Sequence, residues 1–197
     1  MELSKYIVPI ILTNEYNGTG FIVGNKLITA AHVVISKENE CYFLYDGNKV
    51  IINSNNNILF EYPDNNVIQG HRNIYWDIAI YNLEGIDSPL ELREPQITNA
   101  CFYIGYSDTG QIDFYDNIYL DDKDWYNSAQ LGKSVPVTNT YVVFNGSCKN
   151  GNSGGPLFQG EHIVGMLVGN QQYSRFSLDR YVKSEYIISR LDILNEF

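Results

Sequence analysis

Short apolar runs separated by turn-forming residues recur along the whole chain and predict a protein built mainly of β-strands. Asn-Gly, Gly-Asn and Asp-Gly pairs at 17–18, 24–25 and 46–47 predict tight reversals. Because no amphipathic helix separates these runs, the pattern favours an antiparallel barrel or sandwich over a sheet of βαβ units. The predicted strands are Tyr6–Thr13, Thr19–Val23, Lys26–Ala30, Cys41–Tyr45, Lys49–Ile52, Ile74–Leu83, Ala100–Gly105, Gln111–Leu120, Thr140–Phe144, Pro156–Phe158, His162–Val168 and Arg175–Val182.

A polar stretch at 87–97 divides these predicted strands into two equal groups. We expect it to link an N-terminal barrel over 1–86 to a C-terminal barrel over 98–183. Over 184–197, apolar residues recur near helical spacing and predict a closing amphipathic helix. The polar segment 108–134 is either a docking or activation loop or an ordinary solvated insertion.

The acidic charge of the chain argues against one class of partner. With 13 Lys and Arg residues against 23 Asp and Glu residues, the net charge is −10. Such a surface repels phosphate backbones, and no stripe of basic residues offsets it, so we expect no nucleic-acid binding. The apolar run Ile7–Leu12 is far shorter than the roughly 18 apolar residues of a membrane span, so we expect no membrane association.

The three cysteines, Cys41, Cys101 and Cys148, cannot all pair within the chain, and none belongs to a CxxC motif. We expect free, largely buried thiols in a reducing compartment, and therefore a cytoplasmic protein. We expect neither a metal nor a cofactor.

The segment Gly151–Leu157, Gly-Asn-Ser-Gly-Gly-Pro-Leu, is the sharpest local signal for chemistry. A serine hydroxyl becomes a useful nucleophile only when a base takes its proton and hydrogen-bond donors stabilise the resulting oxyanion. Glycines on both sides of Ser153 allow a sharp turn that exposes the hydroxyl and directs N–H groups toward one point. The alternative is a glycine-rich hairpin with Ser153 at its tip.

The base for such a serine has to be a histidine, and the chain offers His32, His71 and His162. His32 follows an apolar strand that ends in small residues, which leave room for an imidazole facing a cleft. Asp77 is the acid within the apolar segment 75–80, and a buried carboxylate there requires a hydrogen-bonded partner. Both residues have a structural alternative. His32 would be a packed histidine at a strand end, and Asp77 would be an aspartate that faces water.

Together these segments resemble the trypsin/chymotrypsin superfamily of serine peptidases. The matching residues, in the family's own order of histidine, aspartate and serine, are Gly18–Val23, Thr29–His32, Asp77–Ala79 and Gly151–Pro156. The resemblance implies an all-β fold of two packed six-stranded antiparallel β-barrels. It also implies a catalytic triad of His32, Asp77 and Ser153 in the crevice between the barrels, and an oxyanion hole formed by the N–H groups of Gly151 and Ser153.

The segment around Ser153 also satisfies GxSxG, the nucleophile elbow of α/β-hydrolases. That fold requires the acid and then the histidine to follow the serine. Only His162 follows Ser153, with no αβ unit between them. The elbow interpretation therefore fails.

One residue separates the chain from the secreted digestive members of the superfamily. Those carry Asp immediately before the nucleophile, which pairs with an N-terminal amine released by zymogen cleavage, whereas this chain has the neutral Asn152. The Gly-Asn-Ser-Gly sequence is closer to bacterial HtrA-type and glutamyl-endopeptidase-type members, although we expect no PDZ region after the predicted closing helix. We expect a bacterial enzyme that is not activated by N-terminal cleavage.

The same resemblance suggests where substrate specificity is determined. In trypsins an acid six positions before the nucleophile binds Lys or Arg, and Ser147 occupies that position here, which disfavours cleavage after basic residues. The expected pocket residues are Ser147, Cys148, Val168, Gly169 and Arg175. Arg175 either favours an acidic substrate residue or lies in an exposed turn.

The expected function is a serine endopeptidase that hydrolyses peptide bonds of a specific protein substrate through an acyl-enzyme intermediate. The alternative is a latent protease that needs an activating protein partner, or a non-enzymatic module that uses the same scaffold for binding. A complete triad with both oxyanion-hole residues favours the enzyme.

Overall fold

The computed structural model describes residues 3–35, 40–62, 77–128, 133–137, 139–172 and 174–195. These residues form two antiparallel sheets, a separate two-stranded ribbon, one α-helix and two short 3₁₀ helices, Leu3–Tyr6 and Ala31–Val34.

The first sheet contains seven strands from the N-terminal half of the chain. They are β1 (Ile7–Leu12), β2 (Glu15–Val23), β3 (Lys26–Thr29), β4 (Cys41–Tyr45), β5 (Asn48–Ile52), β6 (Asn57–Glu61) and β7 (Ile78–Asn82). Their spatial order is β5-β4-β1-β2-β3-β7-β6, and every neighbouring pair is antiparallel. The order places β3 beside β7, although about 50 residues separate them along the chain.

The second sheet contains six strands, and the ribbon lies between two of them in sequence. The strands are β8 (Cys101–Tyr106), β9 (Ile112–Ile118), the ribbon strands β10 (Asp124–Ser128) and β11 (Lys133–Val137), then β12 (Thr140–Phe144), β13 (Pro156–Gln159), β14 (His162–Gln172) and β15 (Ser177–Lys183). The spatial order of the sheet is β12-β15-β14-β13-β8-β9. Helix α1 (Ser184–Asn195) follows β15 directly.

One large core cluster joins the two sheets and the helix. It contains Phe21 and Ile80 from the first sheet, Phe158 and Met166 from the second, and Ile187 from α1, all fully buried. Burial of each such side chain stabilises the folded state by about 1.5–3 kcal/mol. A smaller cluster fills the second sheet on its other side. The shared core holds the two sheets in a fixed relation, so residues at their junction are positioned by both.

The predicted all-β fold of two packed antiparallel barrels with a closing helix is confirmed, and each barrel is a curled antiparallel sheet. The reversals at 24–25 and 46–47 are also confirmed, since each pair joins two consecutive strands. The first sheet has seven strands where six were expected, because Asn57–Glu61 pairs with β7. Within the polar segment 108–134, the strand predicted at 111–120 is confirmed as β9, and the ribbon strand β10 follows it where a docking loop or a solvated insertion was expected. The first residues of the strand predicted at 74–83, and His71, lie outside the described residues.

The predicted reversal at 17–18 is wrong, because Asn17 and Gly18 lie inside β2. The chain turns earlier, at Thr13 and Asn14, whose φ angles are +52° and +65°. Asn17 and Gly18 instead accommodate the second 3₁₀ helix: the Asn17 amide donates to the carbonyl of Val33 at 2.5 Å, and a Cβ on Gly18 would collide with the Val33 side chain.

The segment between β7 and β8 contacts both sheets. Ser88 forms an antiparallel bridge with Gly24 at the end of β2, and Leu92 forms a parallel bridge with Ile163 in β14. Within the described part of the chain, no helix has the length and apolar character needed to cross a membrane.

Candidate active site

The end of β3 and the start of β7 bring His32 and Asp77 together. Thr29 is opposite Ala79 in this antiparallel pair, so the segment that follows β3 lies beside the residue that precedes β7. After β3 the chain forms a 3₁₀ helix over Ala31–Val34, which carries His32, and Asp77 immediately precedes β7.

Asp77 accepts two hydrogen bonds from His32. The ring Nδ1 lies 2.6 Å from Oδ2, and the backbone N–H donates to Oδ1 at 2.9 Å. Asp77 is almost fully buried, whereas about a third of the His32 side chain is exposed, at 34%. Because an ionised carboxylate only accepts, Nδ1 carries the proton and Nε2 is left free to accept one. This is the tautomer that a general base requires.

Two glycines permit the turn that carries Ser153. Gly151 and Gly154 have φ angles of +85° and +86°, a region that strains residues with a Cβ. Neither has room for a side chain: a Cβ on Gly151 would collide with the main chain at Asp108, and one on Gly154 with the carbonyl of Thr19. The glycines flanking the serine are therefore required by backbone conformation and by close packing.

The N–H groups of this turn divide into two sets. The bonded set comprises Asn152 N–H to Lys149 O at 3.2 Å, Gly154 N–H to Leu167 O at 2.7 Å and Gly155 N–H to Asn152 O at 3.1 Å. Among the described residues, no acceptor takes the N–H of Gly151 or of Ser153. These two donors are the ones that the family resemblance implies for an oxyanion hole, and they remain available to a substrate oxygen.

Strand β2 holds the serine turn against the first sheet. The N–H of Thr19 donates to the carbonyl of Ser153 at 2.8 Å, and its hydroxyl donates to the carbonyl of Gly151 at 3.1 Å. One residue earlier, a Cβ on Gly18 would lie 3.1 Å from the same Ser153 carbonyl and would collide with Val33, next to His32. The serine turn and the histidine helix therefore pack on the same residue of β2.

The described hydrogen bonds do not include one between the Ser153 hydroxyl and the His32 ring. Ser153 itself is half-buried. Catalytic hydrogen bonds are often long without substrate and shorten in the substrate complex.

Asn152 anchors the turn to the second sheet. Its side-chain amide donates to the carbonyl of Tyr106 at 3.1 Å and to the carboxylate of Asp113 at 3.0 Å, and its Oδ1 accepts from the Lys149 N–H at 2.8 Å. Its own carbonyl accepts from the Tyr103 hydroxyl. Asp113 also forms an ion pair with the Lys149 ammonium at 3.3 Å. No local pattern around Asp113 indicates this role, because Asn152 is 39 residues away along the chain.

The expected specificity residues differ in their environments. Ser147 and Arg175 are exposed, and Cys148 and Gly169 are half-buried. Val168 is buried in the large core cluster, so its side chain packs inside the protein.

Asp179 was not predicted as a site residue, yet it lies between the two segments expected to line the pocket. Its carboxylate accepts from the N–H of Cys148 at 3.3 Å and from the side-chain amide of Asn170 at 2.5 Å. A Cβ on Gly146 would collide with it. Only the three-dimensional pairing of β14 with β15 reveals this position, since Asp179 follows Cys148 by 31 residues.

Cys148 is chemically quiet in this environment. Burial raises the pKa of its thiol well above the ordinary value, and the negative charge of Asp179 raises it further. Its sulfur lies 3.4 Å from the hydroxyl of Tyr181, whose pKa burial also raises. The thiol therefore stays protonated at neutral pH and does not act as a nucleophile. Within the described ranges, no group of three or more His, Cys, Asp or Glu residues is arranged to hold a metal ion.

Comparison of the sequence with protein families gives one match. The model described as a trypsin-like peptidase domain covers residues 18–169. A comparison with curated protein sequences gives no match.

Comparison with solved structures gives neighbours that share the fold. The scabies mite inactivated protease paralogue S-I1 is 17% identical, with a TM-score of 0.72 over 100% of this chain and 96% of that one. The active form of the Rv3671c protease from M. tuberculosis is 16% identical, with a TM-score of 0.68 over 96% and 81%. Kallikrein-related peptidase 10 is 16% identical, with a TM-score of 0.66 over 98% and 97%.

Proposed function

The chain belongs to the family of trypsin-like peptidase domains, and we propose that it is a serine endopeptidase with His32, Asp77 and Ser153 as its catalytic triad. The observation that carries the proposal is the hydrogen-bonded pair of His32 and Asp77, which fixes the imidazole in the tautomer of a base. The free N–H groups of Gly151 and Ser153 support the same assignment.

In the proposed acylation step, Ser153 Oγ attacks the carbonyl carbon of the scissile peptide bond while His32 Nε2 takes the hydroxyl proton. The carbonyl oxygen becomes an oxyanion held by the N–H groups of Gly151 and Ser153. The imidazolium is stabilised by Asp77. When the carbon–nitrogen bond breaks, His32 returns the proton to the leaving amine, and an ester between Ser153 and the acyl group remains.

In the proposed deacylation step, water replaces the amine in the same site. His32 takes a proton from the water, whose oxygen attacks the ester carbonyl. The second oxyanion uses the same two N–H groups. Collapse breaks the ester bond, His32 returns the proton to Ser153 Oγ, and the carboxylic acid product leaves.

We further propose that the enzyme does not need N-terminal cleavage. In this chain Asn152 is held by Tyr106, Asp113 and Lys149, so the serine turn is anchored without a newly released amine. Peptides and proteins are the proposed substrates. The three free thiols support a proposed location in a reducing, cytoplasmic compartment, and the bacterial origin expected from the sequence stays a proposal.

The proposed function is tested by labelling Ser153 with a fluorophosphonate probe, which reacts with activated serines. We expect the wild type to be labelled and to cleave peptides, and Ser153→Ala to lose both, with kcat/KM falling by at least about 10⁴. The matched control is Ser189→Ala, an exposed serine on α1, which should be labelled as the wild type is. Labelling that persists in Ser153→Ala would refute the assignment.

A second candidate, a latent protease or a non-enzymatic binding module, is favoured by one observation. The Ser153 hydroxyl makes no hydrogen bond to His32 in the described structure, as expected if a partner has to complete the site. The same labelling experiment separates the candidates: an unlabelled wild type that becomes labelled only when a partner protein is added supports latency. A wild type that is never labelled supports the binding module.

A further inference from the structure

The free N–H of Ser153 is oriented by bonds at the other end of its peptide unit. It shares one planar trans unit with the carbonyl of Asn152, so the two groups point in opposite directions. The Asn152 carbonyl accepts from the Tyr103 hydroxyl and from the N–H of Gly155, the latter at 3.1 Å. These two bonds therefore determine which way the Ser153 N–H points.

The free N–H of Gly151 is oriented in the same way, by a bond from the main chain. Its peptide unit contains the carbonyl of Asn150, which accepts from the N–H of Asp108 at 3.0 Å. Among these described bonds, the one from Tyr103 comes from a side chain. A substitution can therefore remove that bond and leave the backbone groups of both units unchanged.

The ring of Tyr103 is held in place by other aromatic side chains. Tyr103 lies in β8 and is fully buried. Its ring stacks on that of Tyr115, with centroids 5.8 Å apart, and lies edge-on to that of Tyr181 at 6.4 Å. Burial raises the pKa of the Tyr103 hydroxyl well above its ordinary value. The hydroxyl therefore keeps its proton at neutral pH and donates it to the Asn152 carbonyl.

Two glycines leave space for this hydroxyl. A Cβ on Gly105 of β8 would collide with the Tyr103 hydroxyl, and so would a Cβ on Gly155 after the nucleophile. The φ angles of both glycines lie outside the positive region that favours glycine, so backbone conformation does not require glycine at either position. The close approach of the phenol oxygen does require it.

From this geometry we propose that Tyr103 is a positioning residue of the oxyanion hole, whose hydroxyl holds the 152–153 peptide unit so that the Ser153 N–H faces the substrate oxygen. The inference rests on the proposed endopeptidase function. Without the hydroxyl, the Asn152 carbonyl keeps one of its two described bonds, the one from Gly155. Rotation of the unit, which would withdraw the Ser153 N–H from the oxyanion, then costs one hydrogen bond fewer.

The kinetic test compares the wild type with Tyr103→Phe, which removes the hydroxyl and keeps the ring. The substrate is p-nitrophenyl acetate, an activated ester that needs no specificity pocket. We expect kcat to fall by about 10- to 100-fold, less than outright removal of an oxyanion donor produces. KM should change little, because the N–H acts in the transition state. An unchanged kcat would overturn the proposal.

Tyr141→Phe is the matched control. Tyr141 is a buried tyrosine of the same core cluster, and its hydroxyl donates to Glu185 of α1 at 2.8 Å. This variant also loses a hydrogen-bonded phenol hydroxyl, but its partner is α1 and not the serine turn. We expect it to keep the wild-type kcat, with a melting temperature lowered about as much as that of Tyr103→Phe. An equal loss of kcat in both variants would overturn the proposal.

Phenylboronic acid distinguishes a misplaced oxyanion donor from general damage. Ser153 Oγ adds to the boron while its proton passes to His32, and an oxygen of the tetrahedral adduct takes the place of the oxyanion. We expect Tyr103→Phe to raise the inhibition constant by about the factor by which it lowers kcat/KM, because both depend on a tetrahedral oxygen. A lower kcat with an unchanged inhibition constant would overturn the proposal.

A second variant keeps the proposal testable if Tyr103→Phe is too unstable to assay. In Gly105→Ala the added methyl displaces the Tyr103 hydroxyl without removing it. Measured below its melting temperature, this variant should lower kcat and raise the boronate inhibition constant in the same proportion. The wild-type kcat in Gly105→Ala would count against the positioning role.

A crystal structure of Tyr103→Phe makes the failure of this proposal distinguishable from that of the endopeptidase. If the wild type neither hydrolyses the ester nor is labelled at Ser153, but the 152–153 unit is rotated in the variant, the endopeptidase proposal fails and the positioning role stands. If the wild type cleaves peptides and Tyr103→Phe does so equally well with the unit in place, the positioning role fails and the endopeptidase stands.

Discussion

At the scale of single residues, the site depends on one carboxylate that serves two donors. Asp77 receives both the ring N–H and the backbone N–H of His32, at 2.6 and 2.9 Å. The first bond selects the tautomer of the ring, and the second fixes the start of the 3₁₀ helix that carries it. A residue with only one acceptor oxygen cannot do both.

Asp77→Asn tests that double role. The amide keeps one oxygen, so either the backbone N–H or the ring N–H of His32 loses its acceptor, and the amide N–H favours the wrong ring tautomer. We expect kcat to fall by about 10⁴, with KM changed far less. The measurement is steady-state peptide hydrolysis, with Asp87→Asn as an exposed-aspartate control. A change confined to KM would contradict the role of Asp77.

The same scale shows which site residues the sequence can reveal. His32, Asp77 and Ser153 each stand beside residues that belong to a motif, so the local pattern predicts them as site residues. Asp113 and Asp179 stand in strands without a recognisable motif; Asp113 accepts from Asn152, 39 residues away along the chain, and Asp179 accepts from Cys148, 31 residues away. Their contacts arise from the tertiary arrangement of strands and loops, which the local pattern does not specify.

At the scale of elements, β9 controls the conformation of the serine turn through Asp113. The carboxylate accepts from the Asn152 amide at 3.0 Å and pairs with Lys149 at 3.3 Å, so the strand and the turn are linked at two points. Asp113 touches no reacting group and is a positioning residue. This link predicts that the double variant Asn152→Asp with Asp113→Asn keeps more peptidase activity than Asn152→Asp alone.

Asn152→Asp places a second carboxylate about 3 Å from Asp113 and removes the amide that donated to it. We expect kcat to fall by at least about 100-fold from like-charge repulsion, with a smaller change in KM. The double variant Asn152→Asp with Asp113→Asn restores an amide–carboxylate pair and should recover at least about tenfold of the loss.

Peptide hydrolysis by the single and double variants checks this exchange, with Asp192→Asn as the control. Recovery in the double variant is an effect that general destabilisation would not produce, since two destabilising changes would add. Equal activity of Asn152→Asp and the wild type, or no recovery in the double variant, would refute the link.

The strand boundaries predicted from the sequence match the structure where a strand is buried on one face or on both. The prediction is wrong where side chains make a tertiary contact that the local pattern does not express. The six strands predicted for the second sheet correspond to its observed strands. Asn17 and Gly18 resembled a turn because asparagine and glycine are typical turn residues. Their actual role is to let the 3₁₀ helix approach β2, and no local preference expresses that contact.

At the scale of the whole molecule, two buried thiols, one in each sheet, and one buried phenol make the stability of the fold depend on pH. Cys41 and Tyr81 lie in the first sheet and Cys101 in the second, all buried. Burial raises the pKa of each thiol from 9.0 to about 11, and that of Tyr81 from 10.0 to about 12. The folded protein resists their ionisation, while the unfolded chain does not.

This difference predicts a loss of stability at alkaline pH. Between pH 9 and 11 the unfolded chain has lost the thiol protons that the folded protein retains, so the free energy of unfolding falls as pH rises. The contribution is complete below pH 9 and is lost as pH rises through the folded-state value of about 11. We expect the melting temperature to fall by several degrees over this range.

Cys41→Val assigns part of that fall to one thiol, because valine fills a similar volume and does not ionise. We expect the variant to melt near the wild-type temperature at pH 7 and to lose less stability between pH 9 and 11, since its folded and unfolded states no longer differ in bound protons at this position. Cys41→Val combined with Cys101→Val should flatten the dependence further, because the two thiols lie in different sheets and their effects should add. The measurement is the melting temperature by circular dichroism at each pH in one buffer of constant ionic strength. If all three proteins lose stability in parallel, ionisation of these thiols does not limit the alkaline stability, and Tyr81 and its buried neighbours are the groups to vary next.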